Sequence, residues 1–143
     1  MASRNDNAVK LSETLTALRN DKTSPVSWIL VECVSREDVH FSGSGKDEDL
    51  TKLASLLRNE EVQAALVRLT GVPQDEQCGF RDVFITWTGP KAGILKKRKY
   101  YELQDTIDRL LAPYHASVSV SNREKFDLNT YVYHLSVSGV WAG

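Results

Sequence analysis

Five basic residues, Lys91, Lys96, Lys97, Arg98 and Lys99, fall within nine positions of the stretch WTGPKAGILKKRKYYELQD, residues 87–105. Ammonium and guanidinium groups at this density suit an anionic surface, either the carboxylates of a protein or the phosphates of a lipid or nucleic acid. Tyr100 and Tyr101 adjoin them, and an exposed ring beside cations supplies the apolar part of such a contact. Other chemically capable residues point nowhere as definite. Gly45 and Lys46 lie in SGSGKDED, which lacks the earlier glycine of a phosphate-binding loop and has Asp47 where a hydroxyl should hold magnesium, so it reads as a surface turn. His40, His115 and His134 lack metal-site spacing to one another or to Cys33 and Cys78. Asp105 and Asp108 read as solvent-facing charges rather than a catalytic pair. Neither an enzyme nor a cofactor or metal site is expected.

The positive charge is local. The chain carries 18 basic and 19 acidic residues among 143, a net charge of -1, which argues against a surface coated for nucleic acid or membrane. The N-terminus lacks the apolar core of a signal peptide and no window is apolar enough to span a bilayer, so an intracellular protein is expected. The two cysteines are expected to be free and reduced, since one bridge is a thin framework for a domain of this size. Length and composition fit one domain over residues 1–143, with 1–5 a flexible N-terminus and 131–143 a tail of undetermined structure.

The elements that must position the cluster follow from periodicity. Ala8, Leu11, Leu15 and Leu18 recur at helical spacing after possible caps at Asn5 to Asn7. Residues 26–34, VSWILVECV, read as a central strand, apolar on both faces apart from Ser27 and Glu32. A short strand VHF leads into a glycine-containing loop, and then into a helix with the stripe Leu50, Leu53, Ala54 and Leu57. Asp47, Glu48 and Asp49 suit the positive end of that helix. VQAALVRLTGV and RDVFITWTG read as strands joined by an extended loop, with Leu66, Val67, Leu69, Val83, Ile85 and Trp87 in the core. ASVSVS alternates as a half-exposed edge strand after a long helix. The order predicts an α/β fold in which about five strands form one mixed sheet flanked on both faces by helices.

In the long helix, Leu103, Ile107, Leu110, Leu111 and Tyr114 share one face. The same phase carried backward puts Lys96 and Lys99 on the face that should be buried, and Lys97, Arg98 and Tyr101 on the flank and far side. Unpaired buried ammonium groups cost several kcal/mol, roughly, so the first turns are expected to bend away or project beyond the domain. Cations at a helix N-terminus also oppose the helix dipole, by about 0.3–1 kcal/mol each. A local rule broken this heavily points to a function served elsewhere.

FITWTGPKAGILKKRKYYELQDTIDRLL, followed by HASVSVSNREKF, resembles the actin-depolymerising-factor homology family, and within it the coactosin branch. VSWILVECV, SGSGKDEDL and VQAALVRLTG fit the same pattern more loosely, so the resemblance spans most of residues 5–130. It implies a five-stranded mixed sheet between helices, no catalysis, and binding to the side of actin filaments in the cytoplasm and cytoskeleton. Carried over by position, the actin-binding residues are Lys97 and Lys99, with Lys96, Arg98 and Tyr101 in the same patch and Arg123 and Lys125 in second rank.

The hairpin GVPQDEQCGFRD is acidic except for Arg81, where cofilin-branch members often carry basic residues, and this departs from severing. The alternatives are a cofilin-like monomer and filament binder that depolymerises or severs, and a module for acidic phosphoinositides using the same patch. Ser3 in MAS is similar to the regulatory serine of cofilins, a control that coactosins lack. A monomer without specific nucleic-acid binding is expected, since one basic cluster supports only weak, salt-sensitive contact with phosphates.

Overall fold

The computed structural model describes residues 4–20, 26–33, 39–47, 51–70 and 80–121. In chain order they form α1 (Arg4–Asn20), β1 (Val26–Cys33), β2 (Val39–Asp47), α2 (Thr51–Leu56), β3 (Val62–Thr70), β4 (Phe80–Thr88), α3 (Ile94–Leu111) and β5 (Ala116–Val120). The strands make one sheet in the order β2-β1-β3-β4-β5. All neighbours are antiparallel except β4 and β5, whose parallel pairing needs the crossover that α3 supplies.

Alternation along the strands builds two apolar layers. Trp28 and Leu30 of β1, Ala65, Val67 and Leu69 of β3, and Val83, Ile85 and Trp87 of β4 pack with Leu53 and Leu57 on the α2 side. Ile29, Val31, Ala64, Leu66 and Phe84 face the other way, against Leu11, Leu15 and Leu18 of α1 and Leu103, Ile107 and Leu111 of α3. Both faces therefore carry helices, as the apolar runs require: strands buried on two sides cannot alternate with polar residues. Among the described residues, no helix is long and apolar enough to cross a membrane.

Two expectations need correction. The segment read as a short strand and loop is one nine-residue strand, β2, paired with β1 through Asp47. Its glycines serve close packing rather than a turn, because the buried indole of Trp28 lies against them. A Cβ on Gly45 would stand 2.7 Å from Cζ2 of Trp28 and 2.8 Å from Cε2. The register also slips between Leu30 and Val31, which pair with Gly43 and Phe41, so Ser42 is an additional residue in a bulge. Gly45→Val is expected to destabilise the domain by about 1–3 kcal/mol through overpacking, read as a lower urea midpoint at unchanged slope. The second correction concerns Asp47, expected at the positive end of α2, a helix whose first turn contains no acid. Asp47 ends β2, and Glu48 and Asp49 lie outside the described residues.

Candidate functional site

The start of α3 is built on a platform made by the turn between α2 and β3. Gln63 is fully buried. Its Oε1 accepts from the Arg58 amide at 2.8 Å and its Nε2 donates to the Leu56 carbonyl at 3.3 Å. Trp87 Nε1 donates to the Arg58 carbonyl at 2.8 Å, tying the same turn to β4. The chain leaving β4 then lies directly on this turn: the Gly89 amide donates to the Glu61 carbonyl at 2.9 Å, and the Lys91 amide to the Asn59 carbonyl at 2.8 Å. The approach is so close that a Cβ on Gly89 would sit 2.1 Å from the Asn59 carbonyl oxygen. Glycine follows ITWT because the backbone of another turn occupies the side-chain volume.

From that platform α3 begins after Gly93, an extended residue that offers no side-chain cap. Its other end is well held. Arg19, in the last turn of α1, donates from Nη2 to the carbonyls of Leu111 at 3.1 Å and Ala112 at 2.6 Å, placing a cation at the negative end of the helix dipole.

The first turn projects from the body, with Ile94 77% and Leu95 71% exposed. The expected conflict between buried face and basic residues is relieved mainly by pairing. Lys96 Nζ donates to Glu61 Oε1 at 2.8 Å. Lys99 stays half-exposed, close enough to Cys33 for its charge to act on the thiol. Burial, then the Glu32 and Glu61 carboxylates, push Cys33 up to about 11 against the opposing pull of Lys99, so the thiol is protonated and inert near neutral pH. Cys33 is free, as expected, whereas Cys78 lies outside the described residues.

On the outer side, Ile94, Lys97, Arg98 and Tyr101 follow the i, i+3, i+4, i+7 spacing of one helical stripe and line an open trough of about 400 Å³. Lys97 and Arg98 are exposed and enter no ion pair among the described residues. Tyr101 is the exposed tyrosine of the pair, at 71%, while Tyr100 is buried with its hydroxyl 3.2 Å from Thr86 Oγ1. Burial pushes the Tyr100 phenol up, partly offset by that hydrogen bond. Lys97 and Tyr101 also border a second cleft, of about 360 Å³, between α3 and the ends of β4 and β5, where Thr86, Thr88 and Ser119 present hydroxyls.

Lys96, Lys97, Arg98, Lys99 and Tyr101 thus share one end of the sheet but not one surface. Lys96 and Lys99 turn toward Glu61 and Cys33, and Lys97, Arg98 and Tyr101 turn outward. Arg123, Lys125, Ser3, His134, the hairpin 71–79 and the tail lie outside the described residues. Among the described residues, no group of His, Cys, Asp and Glu is placed to hold a metal ion.

Sequence reasoning passed over a buried pair at the opposite end of the same face. Arg68 and Asp82 are cross-strand partners, with Arg68 Nε and Nη2 each donating to a different carboxylate oxygen of Asp82 at 2.8 Å. Arg68 Nη1 also donates to the Arg19 carbonyl, and His115 Nδ1 accepts from the Asp82 amide at 2.9 Å. The visible signal was charge inside largely apolar strands, Arg68 in VQAALVRLT and Asp82, beside Arg81, in FRDVFITWT.

Over residues 5–136 the sequence matches the family described as cofilin/tropomyosin-type actin-binding protein. No curated relative matches it. Among solved structures, the coactosin of Entamoeba histolytica superposes with a TM-score of 0.71 at 16% identity, over 88% of this chain and 91% of its own. Cofilin of Streptomyces griseoflavus gives 0.69 at 15% identity, over 90% and 94%. Mouse coactosin, an actin filament binding protein, gives 0.70 at 14% identity, over 90% and 87%. At these identities the likeness establishes a shared fold.

Proposed function

Because the chain belongs to the cofilin/tropomyosin-type actin-binding protein family, we propose that it binds the side of actin filaments as a coactosin-like regulator of filament stability or turnover. The observation that carries this reading is the outer stripe of α3, where exposed apolar Ile94 and Tyr101 bracket the cations of Lys97 and Arg98. Such a surface complements an acidic protein face with an apolar centre. Lys97 and Arg98, with Lys99 on the flank, meet carboxylates of actin, while Ile94 and Tyr101 form the desolvated part of the contact. Arg123 and Lys125 are second-rank contacts carried over from the family pattern.

The protein acts as a monomer in the cytoplasm, on the cytoskeleton, by binding alone. Acidic phosphoinositides would compete for the same cations rather than define a separate role.

Co-sedimentation with pre-formed actin filaments, at low and at physiological salt, tests the proposal. Lys97→Glu, Lys99→Glu is expected to weaken pelleting at least about tenfold, because two attractive charges become repulsive. Its thermal midpoint should stay near that of wild type, since neither side chain is buried in the core. Full pelleting by the double variant would remove the site from this helix. Actin released into the supernatant by the wild type would move the reading to depolymerisation or severing, and absence of pelleting at either salt would leave a family fold without filament binding.

A further inference from the structure

Glu61 touches the segment leading into α3 at one point and the first turn of α3 at another. Its carbonyl accepts from the Gly89 amide at 2.9 Å and its carboxylate holds Lys96 Nζ at 2.8 Å, although 35 positions separate the two side chains in sequence. The helix turn it holds is poorly supported from within. Gly93 supplies no side-chain cap, no acid occupies the first turn, and Ile94 and Leu95 bury little surface. Lysines at the positive end of the helix dipole further oppose winding. A turn with these properties frays unless something outside the helix restrains it.

We propose that Glu61 and Lys96 are positioning residues: their pair straps the first turn of α3 onto the α2–β3 turn, in the orientation that presents Ile94, Lys97 and Tyr101 to a partner. Lys96 is therefore withdrawn from the contact set to which its place in the basic cluster assigned it. The consequence for binding rests on the actin reading above, whereas the strap itself does not. The two lysines on either side of the peptide bond between 96 and 97 have different jobs, because one helical step of 100° turns Lys96 toward Glu61 and Lys97 toward solvent.

The sign of one substitution separates strap from contact. Glu61→Gln removes a negative charge beside a basic patch and frees Lys96. If Lys96 were a contact, filament affinity would rise. For a strap, affinity falls, by about two- to fivefold at most, despite the added positive charge. Lys96→Met should produce a similar loss, and the double variant Glu61→Gln, Lys96→Met should be no worse than either single change, the mark of two residues acting as one unit.

A second measurement needs no partner. Native-state hydrogen exchange at the amides of residues 97–101 should be about two- to fivefold faster in Glu61→Gln and in Lys96→Met than in wild type, and unchanged in Lys97→Met. The modest factor reflects screening, since the paired side chains are 42% and 21% exposed. Unchanged exchange in Glu61→Gln, or tighter filament binding, overturns the proposal. If wild-type protein fails to pellet with filaments, the actin reading fails, and the exchange rates alone decide whether Glu61 holds the turn.

Discussion

Asp82→Ala should lower the stability of the domain by about 3–5 kcal/mol, because it leaves the guanidinium of Arg68 buried opposite an apolar methyl. Arg68 and Asp82 are 4% and 3% exposed, and their two parallel hydrogen bonds of 2.8 Å engage both carboxylate oxygens in a fork-to-fork pair. The loss extends beyond the pair. Arg68 also donates to the Arg19 carbonyl at the end of α1, and Arg19 caps the C-terminal end of α3, so the pair joins β3 and β4 to both helices. Urea denaturation would register the change as a lower midpoint, and thermal melting as a fall on the order of 10 °C or more. The double variant Arg68→Met, Asp82→Leu, which removes both charges, should recover a large part of the loss. A single variant as stable as wild type would mean that water reaches Arg68 readily and that the pair contributes nothing to holding the helices.

The second large effect concerns the phase of α3. Leu103→Ala is expected to cost about 2–5 kcal/mol, since the side chain is 5% exposed and packs with Ile107 and Leu111 against the β1, β3 and β4 face. Tyr101→Ala, two positions earlier, removes a larger side chain that is 71% exposed and should change stability by no more than about 0.5 kcal/mol. Filament pelleting should rank the variants in the opposite order, with Tyr101→Ala weakened and Leu103→Ala unaffected at temperatures where it stays folded. A parallel loss of stability in both would mean that the helix is rotated from the phase described. The contrast separates what holds the domain together from what it offers a partner, on one helix and within one turn.

That separation was legible in the chain itself. A helix imposes a period of 3.6 residues, so Leu103, Ile107 and Leu111 identify a buried face without reference to any other element, and Lys97, Arg98 and Tyr101 then fall outside it. Strands buried on both sides announce themselves equally well in VSWILVEC and VQAALVRLT, because the regular alternation of polar and apolar residues is lost when both faces are covered. The resemblance to the actin-depolymerising-factor homology family rested on such stretches and agrees with the family match over residues 5–136.

Where the reading departed from the structure, the deciding neighbour was distant in sequence. Gly43 and Gly45 look like a loop until Leu56 of α2 and Trp28 on the paired strand are seen to fill the space that their respective side chains would take. Lys96 belonged to a cluster of like charges by composition, and an acid on the turn before β3 made it part of the scaffold. The sequence by itself determined the elements, their buried faces and the concentration of positive charge at one helix start, since these depend on periodicities along the chain. Only the tertiary structure decided which cations remain available, because that depends on which carboxylate the sheet register and the turn packing carry to within hydrogen-bonding distance, and neither is encoded in any local spacing.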